Sequence, residues 1–210
     1  MAIKTSKLIL YHIPKCGGIW AKEALRRSLV NPATEYGRCK SSGQLNDFHV
    51  YREHATPDGT SEKDKAGRYS VVFVRHPFTW YRSFWAFRIK SKSYDPKFPL
   101  DQLMDTSYEV FIRKVLDKYP EGFCSSLFRC YVGDDLSKVQ FIGRQENLED
   151  HLVHAMRFAQ QEFDEGRLRR TKMINVAGID PKFDELTRLP DRLLSDLGKA
   201  EQWAIDTFYV

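Results

Sequence analysis

The chain has 210 residues, 42% hydrophobic and 29% charged, with 33 Lys and Arg against 28 Asp and Glu. That length suits one sizeable α/β domain and cramps two, and the composition excludes collagenous, disulfide-dense and fully disordered classes. No apolar stretch approaches the roughly 20 residues of a membrane-spanning helix.

In chain order, KLILYHI (7–13) is a short apolar run closed by Pro14 and predicts a buried strand. GGIWAKEALRRSLV (17–30) places Trp20, Ala24, Leu25 and Leu29 near helical spacing and predicts a helix. Residues 31–68 are rich in Pro, Gly, Ser, Asp and Lys and predict a long irregular excursion. YSVVFV (69–74) predicts a second strand, and PFTWYRSFWAFRIK (77–90) a helix opened by Pro77. After an irregular stretch at 91–108 come helices near 109–118 and 122–131, then a third strand, KVQFIG (138–143). Amphipathic helices are predicted at 147–163 and 189–209. Alternating strands and helices predict an α/β fold: one domain over 1–210 with a central, mostly parallel sheet flanked by helices. In such sheets ligands bind beyond the carboxyl ends of the strands.

The N-terminus shows no small-residue cleavage site, so no signal peptide is expected. Cys16, Cys39, Cys124 and Cys130 have no close CxxC pairing, which sets the expectation of free thiols, no metal site and a cytoplasmic compartment. Charge is uneven: residues 1–92 hold 17 Lys and Arg against 7 Asp and Glu, and the remainder 16 against 21. A basic half is either solvated surface or a polyanion site. With no dense Lys/Arg run and no nucleic-acid-binding motif, a small phosphorylated ligand is expected in preference to nucleic acid.

Two turns carry the chemistry. In LILYHIPKCGGIW a strand runs into Lys15, Cys16, Gly17 and Gly18, and a helix begins. A strand–glycine loop–helix directs unpaired N–H groups and a helix dipole at one spot, where glycines let an anion approach and a lysine adds charge. The Walker pattern is absent, and the same turn also serves as a plain structural connection. In VVFVRHPFTWYRSFW, Arg75 closes a strand, and Ser83 falls about two turns into the following helix, at ~1.5 Å per residue. The pair suits one phosphate, as charged fork and hydroxyl donor; an Arg–carboxylate pair and a capping Ser are the structural alternative.

HIPKCGG followed by FVRHPFTWYRSFW resembles the two co-substrate signatures of sulfotransferases that use 3′-phosphoadenosine 5′-phosphosulfate (PAPS). EHAT (53–56), FIGRQENLEDHL (141–152) and AIDTFY (204–209) resemble the carbohydrate and bacterial branch of that superfamily. The resemblance implies a P-loop-like fold and sulfuryl transfer from PAPS to a hydroxyl or amine of a saccharide or polar metabolite, releasing PAP. It implies that Lys15 contacts the bridging oxygen and sulfuryl group. Backbone N–H groups from Cys16, Gly17, Gly18, Ile19 and Trp20 would hold the 5′-phosphate, with Trp20 beside adenine or, alternatively, in the core. Arg75 and Ser83 would bind the 3′-phosphate. Cys16, Gly18 and Ile19 depart from the family by standing where hydroxyl residues are common.

Transfer needs a base for the acceptor proton, and histidine suits neutral pH. His54, on the excursion before the second strand, resembles the family's histidine; Glu53, His49 and His12 stand behind it as alternatives. His76 is expected to be structural, and His151 and His154 to lie at the surface. Arg144, Glu146 and Asn147 follow a strand end and either face the same crevice or form an ordinary helix start; Asn175 is a further nucleotide candidate. The loops 31–68 and 91–108 carry Tyr36, Phe48, Tyr51, Tyr94 and Phe98 with basic residues, and are expected to shape the acceptor pocket. Cys16, beside Lys15 at a helix start, is expected to have a lowered thiol pKa. A kinase with a degenerate P-loop and a non-catalytic PAPS-binding module are the alternative functions; oligomeric state is left open.

Overall fold

A computed structural model describes residues 2–39, 55–95, 98–172 and 181–210. The elements run β1 (Ile3–Lys4), β2 (Leu8–Tyr11), α1 (Gly18–Ser28), α2 (Pro32–Glu35), β3 (Gly37–Arg38), α3 (Glu62–Lys65), β4 (Tyr69–Val74) and α4 (Pro77–Ser91). A 3-10 turn (Pro99–Leu103) precedes α5 (Tyr108–Lys118), α6 (Phe123–Val132) and β5 (Phe141–Arg144). A second 3-10 turn (Gln145–Asn147) leads into α7 (Leu148–Phe158), α8 (Glu165–Arg169), α9 (Pro181–Leu186), α10 (Asp191–Ala200) and α11 (Gln202–Phe208). The chain divides into two compact units, Met1–Arg75 with Arg129–Asn175, and His76–Phe128 with Val176–Val210.

The first unit holds the sheet, in strand order β3-β1-β2-β4-β5. Strand β4 is parallel to both β2 and β5, with Leu10 opposite Val71 and Val74 opposite Arg144. Strand β1 runs antiparallel to β2 and β3, so the sheet is mixed rather than mostly parallel. The tight connection between β1 and β2 explains this. Thr5 Oγ1 accepts the Leu8 N–H at 2.9 Å and donates to Gln161 Oε1 at 2.6 Å, reversing the chain within a few residues. Leu8 to Tyr11 and Val71 to Val74 are all buried, as a strand covered on both faces requires. Helix α7 covers β5, and α1 packs on α7 and α8, burying Trp20, Ala21, Ala24 and Leu25. Arg169 of α8 reaches Glu149 and Asp150 of α7, each at 2.8 Å.

The second unit is helical, with an aromatic core. Trp80 stacks on Phe84 at 5.4 Å, Phe84 meets Phe98 at 5.3 Å, and Phe98 meets Phe123 at 5.9 Å. The stretch 91–108 is therefore partly core. Phe98, Pro99, Leu100 and Asp101 are buried, and Arg88 of α4 pairs with Asp101 at 2.7 Å. Burial pushes the Asp101 carboxyl up, while the Asp95 N–H and Arg88 pull it back. Phe98 thus belongs to the hydrophobic core, not to a pocket wall; Tyr94 is exposed.

A second buried carboxylate organises this unit. Glu201 lies between α10 and α11 and is fully buried. It accepts the Cys124 N–H at 3.0 Å, the Ser125 N–H at 2.8 Å, the Ser125 hydroxyl at 2.7 Å and the Tyr81 hydroxyl. Tyr81 in turn accepts the Phe123 N–H at 3.2 Å. Glu201 and Tyr81 together thereby satisfy the first turn of α6. The predicted helix 189–209 breaks here because Glu201 leaves helical geometry to point inward.

Candidate anion site at the strand ends

The connection from β2 to α1 is the first component. Lys15 has φ 66° and Gly17 φ 78°, two left-handed residues within three positions. Glycine adopts this region without cost, whereas a lysine there is uncommon. Such residues cluster at ligand clamps, held by their surroundings. The first N–H of α1 to close on a backbone acceptor at the cap is that of Ala21, onto Gly17 O at 3.0 Å. The Gly18, Ile19 and Trp20 N–H groups precede it and have no acceptor within the helix. The cap is glycine, which has no side chain to offer, and the first turn has no acidic residue.

The glycines themselves serve close packing. A Cβ on Gly18 would stand 1.9 Å from His12 Cδ2 and 2.5 Å from Nε2. One on Gly17 would stand 2.4 Å from a Leu148 methyl. The space that sequence reasoning assigned to an approaching anion is thus filled on the Cβ side by His12 and Leu148. His12, half-buried, is placed against the first turn of α1.

The second component comes from the neighbouring parallel strands. Arg75 follows β4 directly, and its Nη1 donates to Lys15 O at 3.3 Å. Arg144, the last residue of β5, is exposed; its backbone N–H donates to His151 Nδ1 at 2.8 Å. Lys15, Arg75 and Arg144 therefore lie at the carboxyl ends of three adjacent parallel strands, where an open sheet binds ligands. Cations at strand ends beside a helix N-terminus that lacks a side-chain cap form an arrangement suited to a phosphate-type anion.

The expected site residues differ in their surroundings. Cys16 is 1% exposed, its N–H donates to Ile13 O at 3.3 Å, and burial pushes its thiol well up. Arg75 and Lys15 offset that only in part, so Cys16 is a buried thiol and not an activated one. Trp20 is also 1% exposed, with Nε1 donating to Thr171 O at 3.0 Å, and packs in the core. Ile19 is 45% exposed on the first turn of α1. His151 is half-buried, and burial lowers its pKa. His76 caps α4, Nδ1 accepting the Phe78 N–H at 3.3 Å, the structural role expected of it. Ser83 stands two turns into α4, in the second unit. His54, His49, Glu53 and Asn175 lie outside the described residues.

Sequence reasoning missed Tyr131, fully buried, whose hydroxyl donates to His12 O at 3.5 Å. Its only signal was an aromatic in a helix, which the hydrophobic pattern assigns to core. All four cysteines are free thiols. Among the described residues no helix is long and apolar enough to cross a membrane. Comparison with protein-family models, curated proteins and solved structures returns no match.

Proposed function

We propose that this chain is a PAPS-dependent sulfotransferase acting on a hydroxyl or amine of a saccharide or polar metabolite. One observation carries the proposal: a left-handed Lys15 between buried β2 and the glycine-capped start of α1, with Arg75 bonded to its carbonyl. The motif resemblance supplies the nucleotide; the positive charges at the strand ends and a helix start without a side-chain cap support an anion site there.

In the proposed reaction the acceptor oxygen forms a bond to sulfur while the bond from sulfur to the phosphate oxygen breaks. The acceptor's proton passes to a base, His54 on the motif, with His12, His49 and Glu53 as alternatives. Lys15 stabilises the negative charge that grows on the departing phosphate. The N–H groups of Gly17, Gly18, Ile19 and Trp20 hold the 5′-phosphate. Arg75 keeps the 3′-phosphate role that the motif gives it, and Arg144 adds positive charge. Cys16 drops out as a ligand because its N–H already serves Ile13.

The test is single-turnover transfer from radiolabelled PAPS across an acceptor panel, with PAP titration by calorimetry. Lys15→Ala is expected to lower the transfer rate about 100-fold or more and to weaken PAP. A wild-type chain that binds neither PAP nor PAPS refutes the proposal, as does a fully active Lys15→Ala enzyme.

A further inference from the structure

We infer that Arg75 is a positioning residue for Lys15 and not only a ligand for phosphate. Lys15 occupies a backbone region that costs free energy for any residue but glycine, and such a conformation persists only where neighbours over-determine it. The structure supplies one such neighbour. Strands β2 and β4 pair in parallel, Tyr11 opposite Val72, so the chain leaving β4 runs beside the chain leaving β2. Arg75 is the first residue after β4, and its Nη1 reaches back to Lys15 O at 3.3 Å. The bond falls on the carbonyl of the strained residue itself, where it fixes the peptide leading to Cys16.

A guanidinium has five N–H groups in a rigid fork, so a bond to Lys15 O is compatible with a phosphate on the same side chain. Arg75 then ties the loop at one strand end to the group at the next. An anion gripped by Arg75 also braces the lysine, and the site assembles as one piece. Two further fixed points of the loop are the Cys16 N–H on Ile13 O at 3.3 Å and the Ala21 N–H on Gly17 O at 3.0 Å, and these report its order.

The first arm of the test needs no ligand. Amide hydrogen exchange is measured at Cys16 and Ala21 in wild type, Arg75→Met and Arg75→Lys, with α7 amides as the control for global opening. Methionine keeps apolar length and removes every donor; lysine keeps a donor of similar reach. Exchange at the two amides is expected to rise about tenfold in Arg75→Met, the change one ordinary hydrogen bond sets, and to return toward wild type in Arg75→Lys, with α7 unchanged. Unchanged exchange in Arg75→Met overturns the inference, and so does an equal rise in both variants.

The second arm rests on the proposed nucleotide function and compares AMP, which lacks the 3′-phosphate, with PAP. A positioning role predicts that Arg75→Met weakens AMP as well as PAP, and that Arg75→Lys restores AMP more fully than PAP. Loss confined to PAP reduces Arg75 to a 3′-phosphate ligand and overturns the inference. A wild-type chain that binds neither nucleotide rejects the sulfotransferase reading alone, because the exchange arm still decides the role of Arg75.

Discussion

Helices α1 and α6 begin alike and end up with opposite electrostatics. Each follows a left-handed glycine, Gly17 at φ 78° and Gly122 at φ 82°. At α6 the glycine makes room for an internal anion: a Cβ on Gly122 would stand 2.6 Å from Glu201 Oε2, and that carboxylate takes up the Cys124 and Ser125 N–H groups. At α1 the first turn itself carries no acidic residue, although Glu146 lies near enough to act on Cys16 beside it. Its lone acid, Glu23, faces down the helix to Arg26 at 2.8 Å and Arg27 at 2.6 Å. The same physics is thus closed from within in one unit and, on the proposed reading, completed by a ligand in the other.

The largest expected effect tests the closed end. Glu201→Ala leaves buried N–H and hydroxyl groups of Cys124, Ser125 and Tyr81 without their acceptor, and should destabilise the protein by about 3–5 kcal/mol. Denaturant unfolding measures it; a loss under about 1 kcal/mol would remove the distinction between the two helices.

At the open end, Gly18→Ala forces a methyl into the His12 ring. A cost of about 1–3 kcal/mol is expected, largely recovered in the His12→Ala background. Additive costs in the double-mutant cycle would show that the two residues do not meet.

Lys15→Gly should act in the reverse sense. It relieves the left-handed backbone, so stability should rise by about 1 kcal/mol, while PAP affinity falls. Lower stability together with retained affinity would disprove both the strain and the role assigned to Lys15.

The smallest effect concerns Glu23. Its hydrogen bonds to Arg26 and Arg27 pull its pKa down to about 2. A depressed carboxyl contributes stability that is fully present above the unfolded value of ~4.3 and is lost as pH falls through about 2. For an exposed cluster the contribution should stay below about 1 kcal/mol. Carbon-13 titration of the Glu23 carboxyl in wild type and in an Arg26→Ala, Arg27→Ala double variant checks it; equal midpoints would detach Glu23 from the arginines.

The parts of this architecture with strong local signals were legible. The apolar run 69–74 coincides with β4, and Pro77 marks the start of α4. Two-residue strands such as Ile3–Lys4 and Gly37–Arg38 carry no periodicity, so the antiparallel edge could not be foreseen. Glu201 reads as an ordinary surface acid within a helical pattern; only its partners, some eighty positions earlier in sequence, turn it inward. At the site, charge placement was legible because strand ends are. The left-handed Lys15 was not, since lysine is no turn former and its conformation is set across the sheet by Arg75. Cys16 was misjudged because proximity to Lys15 in sequence says nothing about burial, and burial dominates its thiol.

The pairing of β4 with β5 has a consequence for synthesis. Val71 pairs with Phe141 and Val74 with Arg144, yet the whole of His76–Phe128 lies between them in the chain. A ribosome working from the N-terminus releases β2 and β4 early, then needs several seconds, at ~5–20 residues per second, before β5 exists. During that interval the flank of β4 destined for β5 has its N–H and C=O groups unmatched. Its sequence there, Val71-Val72-Phe73-Val74, is β-prone, uncharged and apolar, the kind of exposed edge that pairs with other chains. The stretch bearing Ser83 is therefore also the length of nascent chain whose translation the half-finished sheet must outlast.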